Sequence, residues 1–310
     1  MEMTGLLLNE LASLFMIMAI GFAIVKLNVV RREDSRILSI LIIYIVCPCV
    51  ILRSFQIDFS PQVKEKFMLS VGVALGINLI LVLITSGYKA LFRLDPVEQA
   101  SIMYANAGNL IIPLVMAILG EEWVVYASAF MCVQLCFIWT YGKARISGVA
   151  GGSWKRILLN TNLLAIIVGA VLLLAGIKLP PILNNVLSQL SEMMGPLTMI
   201  MVGMLLANVD WRNLITQTRV YLILVLKMIV TPLLILFLLK ATGVAEWVDD
   251  GKTLVYISFM AVITPTATTV TQLAELYHNR SEYACALNAL TTIICIITMP
   301  IMTWLYFLIM

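Results

Sequence analysis

The run Asn106-Ala107-Gly108-Asn109-Leu110-Ile111-Ile112-Pro113 places polar and helix-breaking residues in the middle of an apolar segment of membrane length. About 150 residues later, Thr264-Pro265-Thr266-Ala267-Thr268-Thr269 interrupts a second such segment. A lipid-exposed helix cannot leave backbone N–H and C=O groups unpaired without a cost of several kcal/mol for each. The two runs therefore predict irregular backbone that is shielded by protein or lines a wet cavity. A pair of interrupted helices at corresponding places in two halves is typical of secondary transporters.

The composition is that of an integral membrane protein. Of the 310 residues, 62% are hydrophobic and 12% are charged, whereas soluble domains average roughly 45–50% apolar and about 25% charged residues. The net charge of +3 is small, so no nucleic-acid partner is predicted, and membrane lipid is the expected surrounding. Cys132 and Cys136 are one helical turn apart, but no His or carboxylate completes a metal set with them. No metal and no other cofactor is predicted.

Membrane spans can be located by reading apolar stretches of about 20 residues. The predicted fold class is an all-α integral membrane protein with ten transmembrane helices, of which the fourth and ninth are broken. The first span is long enough to cross a membrane and no cleavage site follows it, so no cleavable signal is expected. The predicted limits are 6–26, 37–55, 67–90, 98–119, 123–141, 160–177, 182–207, 219–241, 253–276 and 283–308.

The distribution of basic residues sets the predicted orientation, because cytoplasmic loops carry an excess of Lys and Arg. With the N-terminus outside, the inner loops hold thirteen basic residues and the outer loops hold six. We therefore predict a multi-pass protein of the cell membrane with both termini extracytoplasmic. The inner residues are Lys26, Arg31, Arg32, Arg36, Lys89, Arg93, Lys143, Arg145, Lys155, Arg156, Arg212, Arg219 and Arg280, and the outer ones are Arg53, Lys64, Lys66, Lys178, Lys240 and Lys252.

The two halves of the chain show an ordered series of matching residues. Gly21 and Gly169 are 148 residues apart, and so are Pro48 and Pro196. Five spans in each half make the repeats inverted, which suits alternating access. The predicted repeats are residues 1–141 and 160–310, joined by a cytoplasmic linker at residues 142–159. In a second series, offset by 157, Ala117, Leu119, Tyr126, Ala127 and Ala129 recur as Ala274, Leu276, Tyr283, Ala284 and Ala286.

Short motifs along the whole chain form a second ordered set. They are Asn106-x-Gly108 followed by Pro113 and Gly120-Glu121, then Gln134 with Trp139 and Gly142, and finally Pro48, Gly203, Pro265, Pro300 and Lys227 with Pro232. This set resembles the auxin efflux carrier family, which includes plant auxin carriers and bacterial carriers of malate- or malonate-like acids. The chain departs from that family at Ile111, where a Gly is common, and at Asn162-Leu163, where Asn-Pro is common. The resemblance implies a panel-like scaffold domain and a transport domain whose fourth and ninth helices cross at their breaks.

The candidate binding residues lie at the breaks. A broken helix exposes the N-terminus of its second half, whose free N–H groups and positive dipole end attract anions. Proline is well placed at the start of a new half-helix, and Asn and Thr side chains there could bond a carboxylate. Alternatively, Pro and Gly only kink the helices, and the Thr hydroxyls bond back to carbonyls one turn earlier. The predicted substrate-binding set is Asn106, Gly108, Asn109, Pro113, Thr264, Pro265, Thr266, Thr268, Gln134 and Lys227.

Lys227 is the only charged residue well inside a span. Eight residues after Arg219, at a rise of about 1.5 Å each, it is expected roughly 12 Å deep. A buried cation in a membrane is costly and usually functional, yet a lysine stem can also extend toward water. Substrate attraction and an inner-facing structural anchor are therefore both open.

The leading interpretation is a secondary transporter that moves a small organic anion, a carboxylate, by alternating access. The substrate class follows from the resemblance and the helix-dipole argument. The alternative is an ion-coupled (Na⁺ or H⁺) symporter or antiporter of related fold, although the crossing segments lack the buried carboxylates that proton antiporters of that plan need. A membrane enzyme is disfavoured because spaced acidic metal-binding pairs and His-rich loops are absent. A coupling ion and a homodimer are left open.

Overall fold

A computed structural model of the chain describes residues 2–31, 34–56, 60–106, 110–148, 161–207 and 218–310. Apart from one isolated β-bridge, the regular structure of these residues is helical. The helices are α1 (Glu2–Lys26), α2 (35–54), α3 (Pro61–Phe92), α4 (Pro96–Met103), α5 (Ile112–Ile118), α6 (Val124–Ser147), α7 (Thr161–Leu174), α8 (Pro181–Glu192), α9 (Met194–Leu206), α10 (Thr218–Thr242), α11 (Gly251–Ile263), α12 (Thr268–Leu276) and α13 (Ser281–Ile309).

Four helices in the described part of the chain are long and apolar enough to cross a membrane, namely Pro61–Phe92, Val124–Ser147, Thr218–Thr242 and Tyr283–Ile309. Shorter apolar helices are Phe15–Lys26, Tyr44–Arg53, Thr161–Leu174 and Gly251–Ile263. These lengths and compositions fit the predicted all-α membrane fold. The count of ten spans and the inverted repeats stay predictions.

Two prolines inside long helices follow a wide, π-helical turn. In α2 this turn is Ile42–Val46, just before Pro48, and in α10 it is Leu226–Val230, just before Pro232. A proline lacks the N–H that an α-helix needs, and its ring clashes with the carbonyl four residues earlier. One extra residue in the preceding turn moves that carbonyl away. The helix can then continue past the proline, and Lys227 lies inside the second of these turns.

The described chain divides into two compact units. The first contains Met1–Lys64, Gly108–Ser128 and Leu158–Val209. Within it, α1 packs along α9, and α2 packs against α7 and α8. Hydrophobic driving forces between helices are weak in lipid, so small residues that allow close backbone approach favour such pairs. A Cβ at Gly21 would overlap the Ile200 carbonyl on α9, and one at Gly203 would overlap the Met18 carbonyl on α1.

The second unit contains Glu65–Ala107, Ala129–Ile157 and Asp210–Met310. At one end of this unit the first turns of α4, α10 and α13 meet at Glu98, which is fully buried. Arg219 donates to both carboxylate oxygens of Glu98, at 2.8 and 2.9 Å, and the Tyr283 hydroxyl donates at 3.2 Å. Glu98 also accepts the Asp95 N–H, completing a capping box at the start of α4. The side chain thus joins three helices through charge-assisted hydrogen bonds.

Candidate functional site

The fourth predicted span is interrupted where its first half, α4, ends at Met103. Tyr104 is extended, with φ −97° and ψ 126°. The break therefore begins two residues before the polar run that starts at Asn106. Gly108 and Asn109 lie outside the described residues. The second half resumes as α5, and Pro113 occupies its first turn, as predicted.

The ninth predicted span is interrupted at the predicted place. Its first half, α11, ends at Ile263, and Thr264 is extended with φ −76° and ψ 162°. The second half, α12, begins at Thr268. Pro265 therefore lies in the break itself, and the prediction that it starts the new half-helix is wrong.

The two breaks pair with each other inside the second unit. The Asn106 N–H donates to the Pro265 carbonyl at 2.9 Å, and the Ala267 N–H donates to the Tyr104 carbonyl at 3.0 Å. Together these bonds form an antiparallel bridge centred on Ala105 and Thr266. In such a bridge the N–H and C=O of the two central residues point away from each other. The four outward groups need partners elsewhere.

Side chains from α6 and α13 supply those partners. The Gln134 amide accepts the Ala105 N–H at 3.1 Å and donates to the Ala105 carbonyl at 2.7 Å. On the other side, the Thr291 hydroxyl accepts the Thr266 N–H at 3.1 Å, and the Asn288 amide donates to the Thr266 carbonyl at 3.0 Å. All four outward groups are therefore paired, as irregular backbone at membrane depth requires.

The two threonine hydroxyls in the ninth break are used by backbone carbonyls. Thr264 donates to Ala261 at 2.8 Å, in the last turn of α11, and Thr266 donates to Ser101 at 2.8 Å, in α4. Both side chains are completely buried. A hydroxyl has one proton, so in this arrangement neither threonine can donate to a carboxylate. These contacts hold the breaks together, and the substrate role predicted for the two residues stays a prediction.

Lys227 is buried, with 2% of its surface exposed. Its Nζ lies 3.4 Å from the Val262 carbonyl. In an unbroken helix that carbonyl would accept the Thr266 N–H, which here goes to Thr291. Lys227 therefore places its amine at the C-terminal, negative end of α11. The side chain does not extend to the surface, so the inner-facing anchor is not the arrangement observed.

Asn106 and Thr268 lie at the two ends of the crossing. Asn106 is buried, with 6% exposed, and sits opposite Pro265. Thr268 is half-buried and is the first residue of α12. Among the residues predicted from the sequence, the structure thus brings Asn106, Thr264, Pro265, Thr266 and Gln134 into one bonded cluster, with Lys227 at its edge.

Asn288 and Thr291, which complete the crossing, are not among the residues predicted from the sequence. A signal for Thr291 was available, because it follows Gln134 by 157 residues, the offset of the second repeat series. Across the part of the chain that the structure describes, no group of three or more His, Cys, Asp or Glu side chains could hold a metal ion.

Comparison with protein families identifies the chain. The family model described as membrane transport protein matches residues 6–153 and 143–303. Comparison with curated proteins returns no match. The family match extends over nearly the whole chain and includes both interrupted helices. The chain therefore belongs to the auxin efflux carrier family of membrane transport proteins.

Proposed function

We propose that this membrane transporter carries a small organic anion, a carboxylate, by alternating access. The observation behind the proposal is the crossing of two interrupted helices at Ala105 and Thr266. Interrupted helices near the middle of the membrane mark the substrate site in secondary transporters. Between Met103 and Leu119, and between Leu254 and Leu273, the sequence contains no Asp, Glu, Lys, Arg or His.

The electrostatics of the crossing favour an anion. The α12 helix begins directly after it at Thr268, and a helix N-terminus carries a partial positive charge. The Lys227 amine lies at Val262, in the last turn of α11. Asn106 adds a buried amide that can donate to a carboxylate without introducing a buried charge. We assign substrate contact to Asn106 and Thr268, and a supporting role to Gln134, Thr264, Thr266 and Lys227.

Alternating access between two membrane faces is natural for inverted repeats, and two contacts support such repeats. Gly21 on α1 approaches α9, while its counterpart Gly169 on α7 approaches Phe55 at the end of α2. Gly203 is the residue of α9 that lies against α1 beside Gly21. Phe55 and Gly203 are also 148 residues apart, so both members of one contact match both members of the other at the same offset. In the same way, the Gln134 side chain accepts the Ala105 N–H in the fourth break, and the Thr291 side chain, 157 residues later, accepts the Thr266 N–H in the ninth.

The proposed location is the cell membrane with both termini extracytoplasmic. Its support is the two-to-one excess of basic residues in the loops assigned to the inside. Cysteine labelling of intact cells with a membrane-impermeant maleimide, at introduced Lys178→Cys and Lys89→Cys, tests this orientation. Labelling at residue 178 and protection at residue 89 is the expected result.

Transport of radiolabelled mono- and dicarboxylates into proteoliposomes tests the proposed function. We expect uptake of at least one carboxylate, strongly reduced in Asn106→Ala and normal in Asn184→Ala, a control at an exposed asparagine of α8. A membrane potential set with potassium and valinomycin should change the rate in sodium-free buffer at fixed pH. Flux that requires sodium or a proton gradient would instead support the ion-coupled alternative, and turnover of the solute would indicate an enzyme.

A further inference from the structure

An apolar groove runs along the second unit between α3 and α10. Its volume is about 600 Å³, and one wall contains Gly72 and Gly76 of α3. A Cβ at either glycine would meet nothing within 4 Å, so the missing side chains leave open space. Val73 and Ile77 of α3 and Ile235 and Leu239 of α10 form a buried floor. Nothing in the proposed transport mechanism uses this groove.

The dimensions of the groove fit a hydrocarbon chain better than a helix. From Glu65 to Ile80 the α3 wall is about 22 Å long at 1.5 Å per residue. A volume of 600 Å³ over that length is a mean cross-section of about 27 Å², well below that of a helix with its side chains. A helix with its side chains is about 10–12 Å wide. An acyl chain, whose carbons pack about 3.5–4.0 Å from their neighbours, fits.

The mouth of the groove has the features of a membrane interface with an acidic bias. Trp247 lines it and is largely exposed, as expected of an aromatic residue at head-group depth. Among the described residues that line the groove, Glu65 is the only charged one. Its neighbour Lys66 is paired with Asp250 at 2.6 Å.

We propose that the groove binds one phospholipid with an amine-bearing head group, its acyl chain against Gly72 and Gly76 and its ammonium near Glu65. The Glu65 carboxylate favours an ammonium over an anionic glycerol phosphate. The flat glycine wall lets the chain approach the α3 backbone closely. The ligand class is therefore phosphatidylethanolamine, bound in the membrane leaflet on the Trp247 side.

Native mass spectrometry of the detergent-purified protein tests this site. The probes are phosphatidylethanolamine and phosphatidylglycerol with identical acyl chains. Gly76→Leu fills the groove, Gly76→Ala fills it partly, and Gly72→Leu fills it at a second point. Gly87→Leu is the matched control, because it adds the same side chain to α3 in open space outside the groove. Thermal stability is recorded for every variant, and Gly76→Ala preserves the test if a leucine variant does not fold.

We expect the wild-type protein and Gly87→Leu to retain one phosphatidylethanolamine in preference to phosphatidylglycerol. Both leucine variants in the groove should bind it about tenfold more weakly or worse, because each added carbon displaces part of the chain. Glu65→Gln should keep the lipid but lose the head-group preference. Equal retention by Gly76→Leu and Gly87→Leu, or equal binding of both lipids by the wild-type protein, would overturn the proposal. A change in oligomeric mass in Gly76→Leu would also do so, by making the groove a contact between copies.

Discussion

The Gln134→Met variant separates a structural role of this side chain from substrate binding. Gln134 makes hydrogen bonds to both backbone groups of Ala105, which is 2% exposed. Methionine has a similar length and flexibility but cannot make these bonds. Each unpaired buried group costs about 1–3 kcal/mol, so the variant should lose roughly 2–6 kcal/mol of stability. That is a large share of the typical 5–15 kcal/mol for a folded protein.

The assay is thermal unfolding of the purified protein in detergent, combined with transport in proteoliposomes. The expected decrease in Tm is on the order of 5–10 °C. Thr140→Val on the same helix is the control, because the Thr140 hydroxyl bonds only to carbonyls of α6 itself. Its Tm should be close to that of the wild-type protein. If Gln134→Met unfolds at the wild-type temperature while the KM for the anion rises, Gln134 contacts the substrate and the structural reasoning is wrong.

Three further variants test charges and close contacts. Lys227→Met should weaken anion binding about tenfold without lowering Tm. The reason is that a unit charge within about 10 Å of an anion is worth about 1.7 kcal/mol at an effective dielectric of 20. If isothermal titration shows unchanged affinity, Lys227 serves only as a partner of the α11 helix end. Glu98→Gln should lower the free energy of unfolding by about 3 kcal/mol or less. This is the low end for breaking a buried ion pair, because the partner Arg219 is 43% exposed. An unchanged denaturation midpoint would contradict this expectation. Gly203→Ala should lower Tm by several degrees, because the Cβ of the alanine meets backbone that cannot move aside. Gly87→Ala adds a Cβ in open space and should leave Tm unchanged. Equal Tm values for the two variants would argue against the close approach of α1 and α9.

The positions of the breaks could be predicted from the sequence because they depend on local chemistry. Proline removes an N–H wherever it occurs, and Asn or Gly in an apolar span signals non-helical backbone. The structure places the interruptions at Tyr104, just before the first of the two polar runs, and at Thr264, where the second run begins. The limits of one span were predicted closely, 219–241 against the observed Thr218–Thr242, whereas the predicted span 182–207 is divided into α8 and α9.

The partners of the breaks could not be predicted, because they depend on the packing of distant helices. Nothing near Gln134 in the sequence indicates that its amide would bond to Ala105, 29 residues earlier. The threonines show the same limit, since a hydroxyl can serve a substrate or a carbonyl equally well. Only the packing of α4 against the ninth break directs the Thr266 proton to Ser101.

The hydrogen bonds of the crossing constrain how the proposed alternating access can work. Two bonds join the breaks to each other, and four more join Ala105 and Thr266 to α6 and α13. Bending the helices at the breaks would unpair several of these buried groups, at about 1–3 kcal/mol each. All six bonds lie inside the second unit. A cycle that moves this unit as a rigid body keeps every one of them. The bonded segments at Tyr104–Asn106 and Pro265–Ala267 are therefore better understood as a fixed binding platform than as hinges, although irregular backbone in a membrane helix would suggest flexibility at first sight.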